Sequence, residues 1–132
     1  MVTPMPRFTL LYATDDRAAS EALQRKLNFG ADDSVLAANS IQALALLFVN
    51  RRINAVLLDQ QTKHRPSLAL ARAMRSLRAD IPIVLLSPEP IEPLPNCLDA
   101  CVCGDRDLPS LIPVLNMLLT ARRGEQALAL QH

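Results

Sequence analysis

Two stretches decide the fold: AVLLD at residues 55–59 and IPIVLLS at residues 81–87. Each is a short, nearly continuous apolar run that ends on a polar residue, Asp59 and Ser87 respectively. Runs this short and this apolar are the mark of strands buried on both faces, as in a parallel sheet covered by helices. Working outward, FTLLYA (8–13) is a third such run, and Val35–Ala38 and Ala100–Cys103 are weaker ones. Between them the apolar spacing turns helical. A first helix is expected to about Asn28, with Ala19, Ala22, Leu23 and Leu27 on one face and Gly30 ending it. A second runs from a Ser40 cap to about Arg51, with Ile41, Leu44, Leu47 and Phe48 inward. A third covers Ser67–Arg78, with Leu70, Met74 and Leu77 as its stripe. The last covers Leu111–Arg123, with Leu111, Val114, Leu115, Leu118 and Leu119 inward, Ser110 as N-cap and Pro113 in the first turn.

Alternating strands and helices of this kind form an α/β, doubly wound, five-stranded parallel sheet. In such sheets the working site lies beyond the C-terminal strand ends. The polar residues at those ends are Asp15, Asp16, Asp59 and Ser87.

Composition narrows the function. The chain has 132 residues, 14 basic and 13 acidic, for a net charge of +1, which leaves no basic footprint for nucleic acid or anionic membrane. Aromatic residues for base stacking are few: Phe8, Tyr12, Phe29 and Phe48. No apolar run approaches the ~18 residues of a membrane helix, and MVTPMPRF lacks the pattern of a signal peptide, so the expected location is cytoplasmic. The three cysteines, Cys97, Cys101 and Cys103, read as free thiols in structural positions. Zinc would require a fourth ligand, and His64 and His132 are distant in sequence. An enzyme finds no support, because there is no Gly-x-Gly-x-x-Gly, no phosphate-binding loop and no nucleophile elbow, with three glycines in all.

Five pieces in order resemble the receiver domains of two-component response regulators. AVLLD resembles the third strand with the phospho-accepting aspartate at its tip, and IPIVLLS the fourth strand with the family's Thr/Ser. AANSIQAL (37–44) resembles Ala-x-x-Gly-x-Glu-Ala-Leu, with Ser40 for Gly and Gln42 for Glu. Asp15 and Asp16 fall where the acidic pair belongs. The match covers about residues 8–120. It implies a flavodoxin-like sheet in the order 2-1-3-4-5, with Asp59 as phosphoacceptor, Ser87 as phosphoryl contact, and a weak Mg²⁺ site from Asp15, Asp16 and Asp59.

The departures are as informative as the matches. Spacing to Leu23 and Leu27 puts Thr14 at the first acidic position and Asp15 at the second, although a one-residue shift restores Asp15 and Asp16 as the pair. The family's Met-Pro after the aspartate is replaced by Thr62 and Lys63. Its Lys-Pro after strand five is replaced by Gly104 and Asp105, and its switch aromatic by Cys101. Pro88, Pro90, Pro93 and Pro95 crowd the place of the fourth helix, and each interior proline costs a helix ~3 kcal/mol. That helix is expected to be shortened or missing, replaced by an extended loop with at most a turn near Asn96–Asp99.

Each residue keeps a structural reading beside the functional one. Asp59 is a phosphoacceptor or a solvent-facing residue, Asp15 and Asp16 are cation ligands or helix caps, and Ser87 is a phosphoryl contact or a strand-ending turn residue. Lys63 is a substitute cation or a solvated loop lysine. The organisation expected is a receiver-like domain over 1–123, with 124–132 as a tail or the start of a linker to an output domain. The function expected is an atypical signalling module acting through protein contacts, with a histidine kinase or output domain as partner and a homodimer as assembly. The alternatives are a working phospho-receiver and, less favoured, a small flavodoxin-like enzyme.

Overall fold

Strand segments this apolar cannot leave either face in water, and the chain solves this with one parallel sheet. The computed structural model describes residues 9–14, 18, 21–22, 25, 34–59, 67–89, 91–103, 110–111 and 113–119. The strands are β1 (Thr9–Ala13), β2 (Ser34–Ala38), β3 (Ala55–Asp59), β4 (Ile83–Ser87) and β5 (Ala100–Cys103), in the order β2-β1-β3-β4-β5 with all pairs parallel. This is the doubly wound order expected from the sequence. Of the expected first helix, residues 18, 21, 22 and 25 are described and helical; its other residues, the 60–66 loop and the boundary at residue 123 lie outside the described residues.

Strand alternation divides the core into two layers. Leu11, Ala13, Val56, Leu58, Ile83 and Leu85 form one layer with Ala43 and Leu47 of helix α1 (Ser40–Val49) and Leu70, Ala71 and Met74 of helix α2 (Ser67–Leu77). Leu10, Tyr12, Ala55, Leu57, Val84 and Val102 form the other, closed by Leu111 and Leu115 of the last described helical segment.

Three details of the helices differ from the sequence expectation. The N-cap of α1 is Asn39, not Ser40. The Gln42 backbone N–H donates to Asn39 Oδ1 at 2.9 Å, and the Asn39 N–H donates to Gln42 Oε1 at 3.4 Å, a reciprocal capping box. The buried face of α1 is Ala43 and Leu47, while Ile41 and Phe48 are 65% and 69% exposed. A small alanine at 43 lets the helix approach the sheet and rotates those larger residues outward. In α2 the stripe is Leu70, Ala71 and Met74, and Leu77 faces solvent. One helical turn beyond Met74, Arg78 closes that line by donating from Nη1 to the Ile53 carbonyl at 2.6 Å.

No helix occurs among the described residues between β4 and β5, as the prolines require. Residues 96 and 97 form a turn, with Leu98 N–H donating to the Pro95 carbonyl at 3.0 Å. The loop takes over the helix's covering task by burying Cys97 and Leu98, and partly Ile91, against the α1–α2 layer.

Its return to the sheet is fixed by Asp99. The Asp99 N–H donates to the Ile83 carbonyl at 2.8 Å, and Asp99 Oδ2 accepts the Ile83 N–H at 2.8 Å. The same carboxylate oxygen accepts from Arg75 Nη2 at 2.6 Å. Arg75 also donates to the carbonyls of Ala79 (3.0 Å), Ile81 (2.7 Å) and Cys97 (3.2 Å). The pair is largely shielded, with side chains 21% and 18% exposed, so its hydrogen bonds are worth more than those of a surface pair. Removing the acceptor by Asp99→Ala strands both the guanidinium and the Ile83 N–H, and should cost about 3 kcal/mol. Urea unfolding monitored by far-UV dichroism measures this, and a loss indistinguishable from that of an exposed-site alanine control would contradict it.

Candidate functional site

The site grows from the C-terminal ends of β1, β3 and β4. β1 carries into Thr14, whose N–H donates to the Ala38 carbonyl at 2.9 Å and so extends the β1–β2 ladder by one residue. That extension leaves Thr14 only 6% exposed and brings its side chain to the tip of β3, where Thr14 Oγ1 donates to Asp59 Oδ2 at 3.1 Å. Asp59 is half-buried at the end of a strand whose other four residues are fully buried. It stands beside Leu86 in the β3–β4 register.

Ser87, one residue on, ends β4 and is 2% exposed. Its hydroxyl closes a tight turn, donating to the Glu89 carbonyl at 2.7 Å and accepting the Glu89 N–H at 3.3 Å. Ser87 pairs in register with Cys103, and Leu85 with Cys101. Thr14 and Asp59 are thus brought into contact, and Ser87 ends the neighbouring strand. Asp15, Asp16, Thr62, Lys63, Gly104 and Asp105 lie outside the described residues.

The chemistry of the Thr14–Asp59 pair is that of one carboxylate with a neutral donor. A hydroxyl hydrogen bond steadies the ionised carboxylate, but it supplies no second anion. The resemblance to receiver domains implies Mg²⁺ here, a hard cation taking oxygen ligands. Among the described residues, no group of three metal-ligating side chains occurs. The described donor set therefore falls short of a metal cluster. The Thr14 contact was legible as a spacing argument, since Thr14 aligns with the first acidic position. The Ser87–Glu89 turn was signalled by the Ser-Pro step at 87–88.

Comparison with known proteins agrees with this fold. No family model matches the chain. The response regulator MprA of Mycobacterium sp. (strain KMS) is 37% identical over 78 residues, which is 59% of this chain and 34% of that protein. MprA of Mycobacterium avium (strain 104) is 33% identical over 78 residues, with the same shares. The chain thus spans about a third of the length of these curated relatives.

Among solved structures, a CheY-like receiver domain protein from Methanospirillum hungatei JF-1 superposes with a TM-score of 0.77 at 19% identity, covering 91% of this chain and 99% of that one. The chain has the fold of these receiver domains, and its sequence is similar to that of response regulators. A second structural neighbour, the response regulator TrrA of Thermotoga maritima in complex with Mg²⁺ and BeF, has a TM-score of 0.73 at 21% identity, covering 84% of this receiver-like domain and 98% of TrrA.

Thr14 is the residue on which the metal question turns. Charge count sets cation affinity in oxygen-ligand sites, so Thr14→Asp should tighten Mg²⁺ binding at least about tenfold, or about 1.4 kcal/mol, over a weak wild-type level. Isothermal titration compares the two. Tight, stoichiometric Mg²⁺ binding by the wild-type chain, abolished by Asp15→Ala, would overturn the assignment.

Proposed function

We propose that this receiver-like domain is an atypical signalling module that works through protein–protein contacts, with weak or absent phosphorylation switching. The observation that carries the reading is the Thr14–Asp59 hydrogen bond, a neutral hydroxyl seated on the acceptor candidate. Three further features support it. The Ser87 hydroxyl is engaged by Glu89 in its own turn. Cys101, at the position of the family's switch aromatic, is too small to report pocket occupancy by a large rotation. The fourth-helix segment is a loop held by Arg75 and Asp99 rather than a helix able to re-pack.

The partner is a histidine kinase or an output domain of the same signalling system, and the site residues are Asp59 as residual acceptor and Ser87 as residual phosphoryl contact. A second reading, a working phospho-receiver, is supported by Asp59 itself, a half-buried carboxylate at the tip of a buried strand. Incubation with Mg²⁺ and acetyl phosphate followed by intact mass separates the two, since the working receiver gains one phosphoryl group that Asp59→Asn cannot take up.

A ligand moves a conformational equilibrium only by its differential affinity for the two states. With Gly104 in place of the family's lysine after β5, beryllofluoride with Mg²⁺ should leave the amide shifts and exchange rates of residues 88–120 nearly unchanged. Large saturable changes there that vanish in Asp59→Asn would promote the working receiver.

The proposed assembly is a symmetric homodimer, through the β5 face or the last helix, where Met117 is 64% exposed. Light scattering at high concentration should report twice the chain mass, and a monomer throughout would reject this assembly.

A further inference from the structure

Helix α1 carries no charged residue, and its sequence, SIQALALLFV, is apolar on nearly every side. The fold uses one side of it: Ala43 and Leu47 are buried, and Leu44 and Leu46 partly so. On the opposite side Ile41, Ala45 and Phe48 follow at i, i+4 and i+7 and are exposed, with Val49 beside them at 70% exposure. A helix apolar all round is normally a buried helix. Three large apolar side chains on one exposed stripe therefore mark a surface that a partner covers.

The rim of the stripe indicates what that partner offers. Directly after the C-cap Asn50, Arg51 and Arg52 form a turn and are both exposed. The Arg52 backbone N–H donates to Asn50 Oδ1 at 3.0 Å, which holds the turn at the end of the stripe. Neither guanidinium forms an ion pair among the described residues. Two open cations at one end of an uncharged apolar stripe call for carboxylates at the matching end of an apolar partner. A second copy of this face does not provide them, because α1 has no carboxylate and its capping residues Asn39 and Gln42 are neutral. Two arginines are also few for an anionic lipid surface, where clusters of about four to eight basic residues are the rule.

We infer that the outer face of α1 docks one amphipathic helix of a partner protein, apolar along one stripe and acidic in its first turn. The two helices run antiparallel. Phe48, Ala45 and Ile41 receive the apolar stripe, with the small Ala45 giving the closest approach at the centre of the contact. The partner's first-turn carboxylates then meet Arg51 and Arg52, where both the ion pairing and the partner's own helix dipole favour negative charge. Aromatic side chains and arginine are the types enriched in protein interfaces. The contact involves neither Asp59 nor β5, so it stands whether or not the domain is phosphorylated.

The test uses two fluorescent synthetic peptides with leucine at i, i+4, i+7 and i+11, one with two glutamates in its first turn and one with two lysines there. Anisotropy titration with the full chain should show saturable binding of the glutamate peptide, at least about tenfold tighter than the lysine peptide and weakening as salt is raised. Phe48→Ser should weaken it about tenfold or more, and the double variant Arg51→Glu/Arg52→Glu should reverse the preference between the peptides. A measurement on the unaltered chain guards against misfolded variants: amide shifts induced by the glutamate peptide should fall on residues 41–52. Absence of saturable binding, equal affinity for the two peptides, or shifts confined to other residues would each overturn the proposal. So would binding to phosphatidylserine vesicles in place of the peptide, or concentration-dependent shifts of residues 41–52 in the chain alone, the sign of a second copy on this face.

Discussion

The carboxylate of Asp99 is approached from two sides: the Ile83 N–H enters from the sheet and the Arg75 guanidinium from α2, both onto Oδ2. Everything after β4 depends on this junction. A parallel crossover ordinarily carries a helix that covers the sheet and aims the returning chain. Here the prolines forbid a regular helix, so the loop has to be aimed by other means. The Asp99 side chain acts as an extra backbone acceptor and fixes where β5 begins. Arg75 ties the same point to the end of α2 and to the loop carbonyl of Cys97. Because successive strand residues face opposite sides, a one-residue slip at Asp99 would exchange Cys101 and Cys103 for Val102 on the α1–α2 face. The junction thus decides which chemistry the edge strand presents.

The same device appears at the entry to β3. Asn54 immediately precedes that strand, and its N–H donates to the Thr9 carbonyl at 3.1 Å while its Oδ1 accepts the Thr9 N–H at 3.0 Å. The offset is identical: Leu10 then pairs with Ala55, as Val84 pairs with Ala100. Short-chain Asn and Asp can mimic a peptide carbonyl at such positions. The two clamps set the register at the N-terminal ends of the strands, and strand lengths then determine what emerges at the C-terminal ends. β1 and β3, registered by Asn54, deliver Thr14 and Asp59 to hydrogen-bonding distance.

The strands were legible in the sequence because each is an apolar run too short for a helix and bounded by polar residues. The helix faces were less so. From Ile41 to Val49 the second helical segment is apolar almost all round, and periodicity alone could not choose between Ile41–Phe48 and Ala43–Leu47 as its inner face. Close approach to the sheet settled it in favour of alanine. The missing fourth helix was legible from four prolines, since their cost is local. Arg75 and Asp99 were not, because they lie 24 residues apart and neither belongs to a motif. At the site, the Thr14 position followed from spacing, while its hydrogen bond to Asp59 required the β1–β3 register.

The loop's anchoring bears on how the domain can signal. In a switching receiver, the face around strands four and five has two packings of similar free energy, and an occupied pocket selects one. Here the 97–99 segment is held by charge-assisted hydrogen bonds to α2 and by burial of Cys97 and Leu98. Releasing it would forfeit those hydrogen bonds and expose the apolar surface of Cys97 and Leu98. To populate such a released state, an effector has to favour it by at least the free energy so lost. With Gly104 where the family carries its lysine, a phosphoryl group on Asp59 lacks the family's usual source of that preference. On the proposed reading, this face is accordingly better suited to constitutive docking than to regulated exposure.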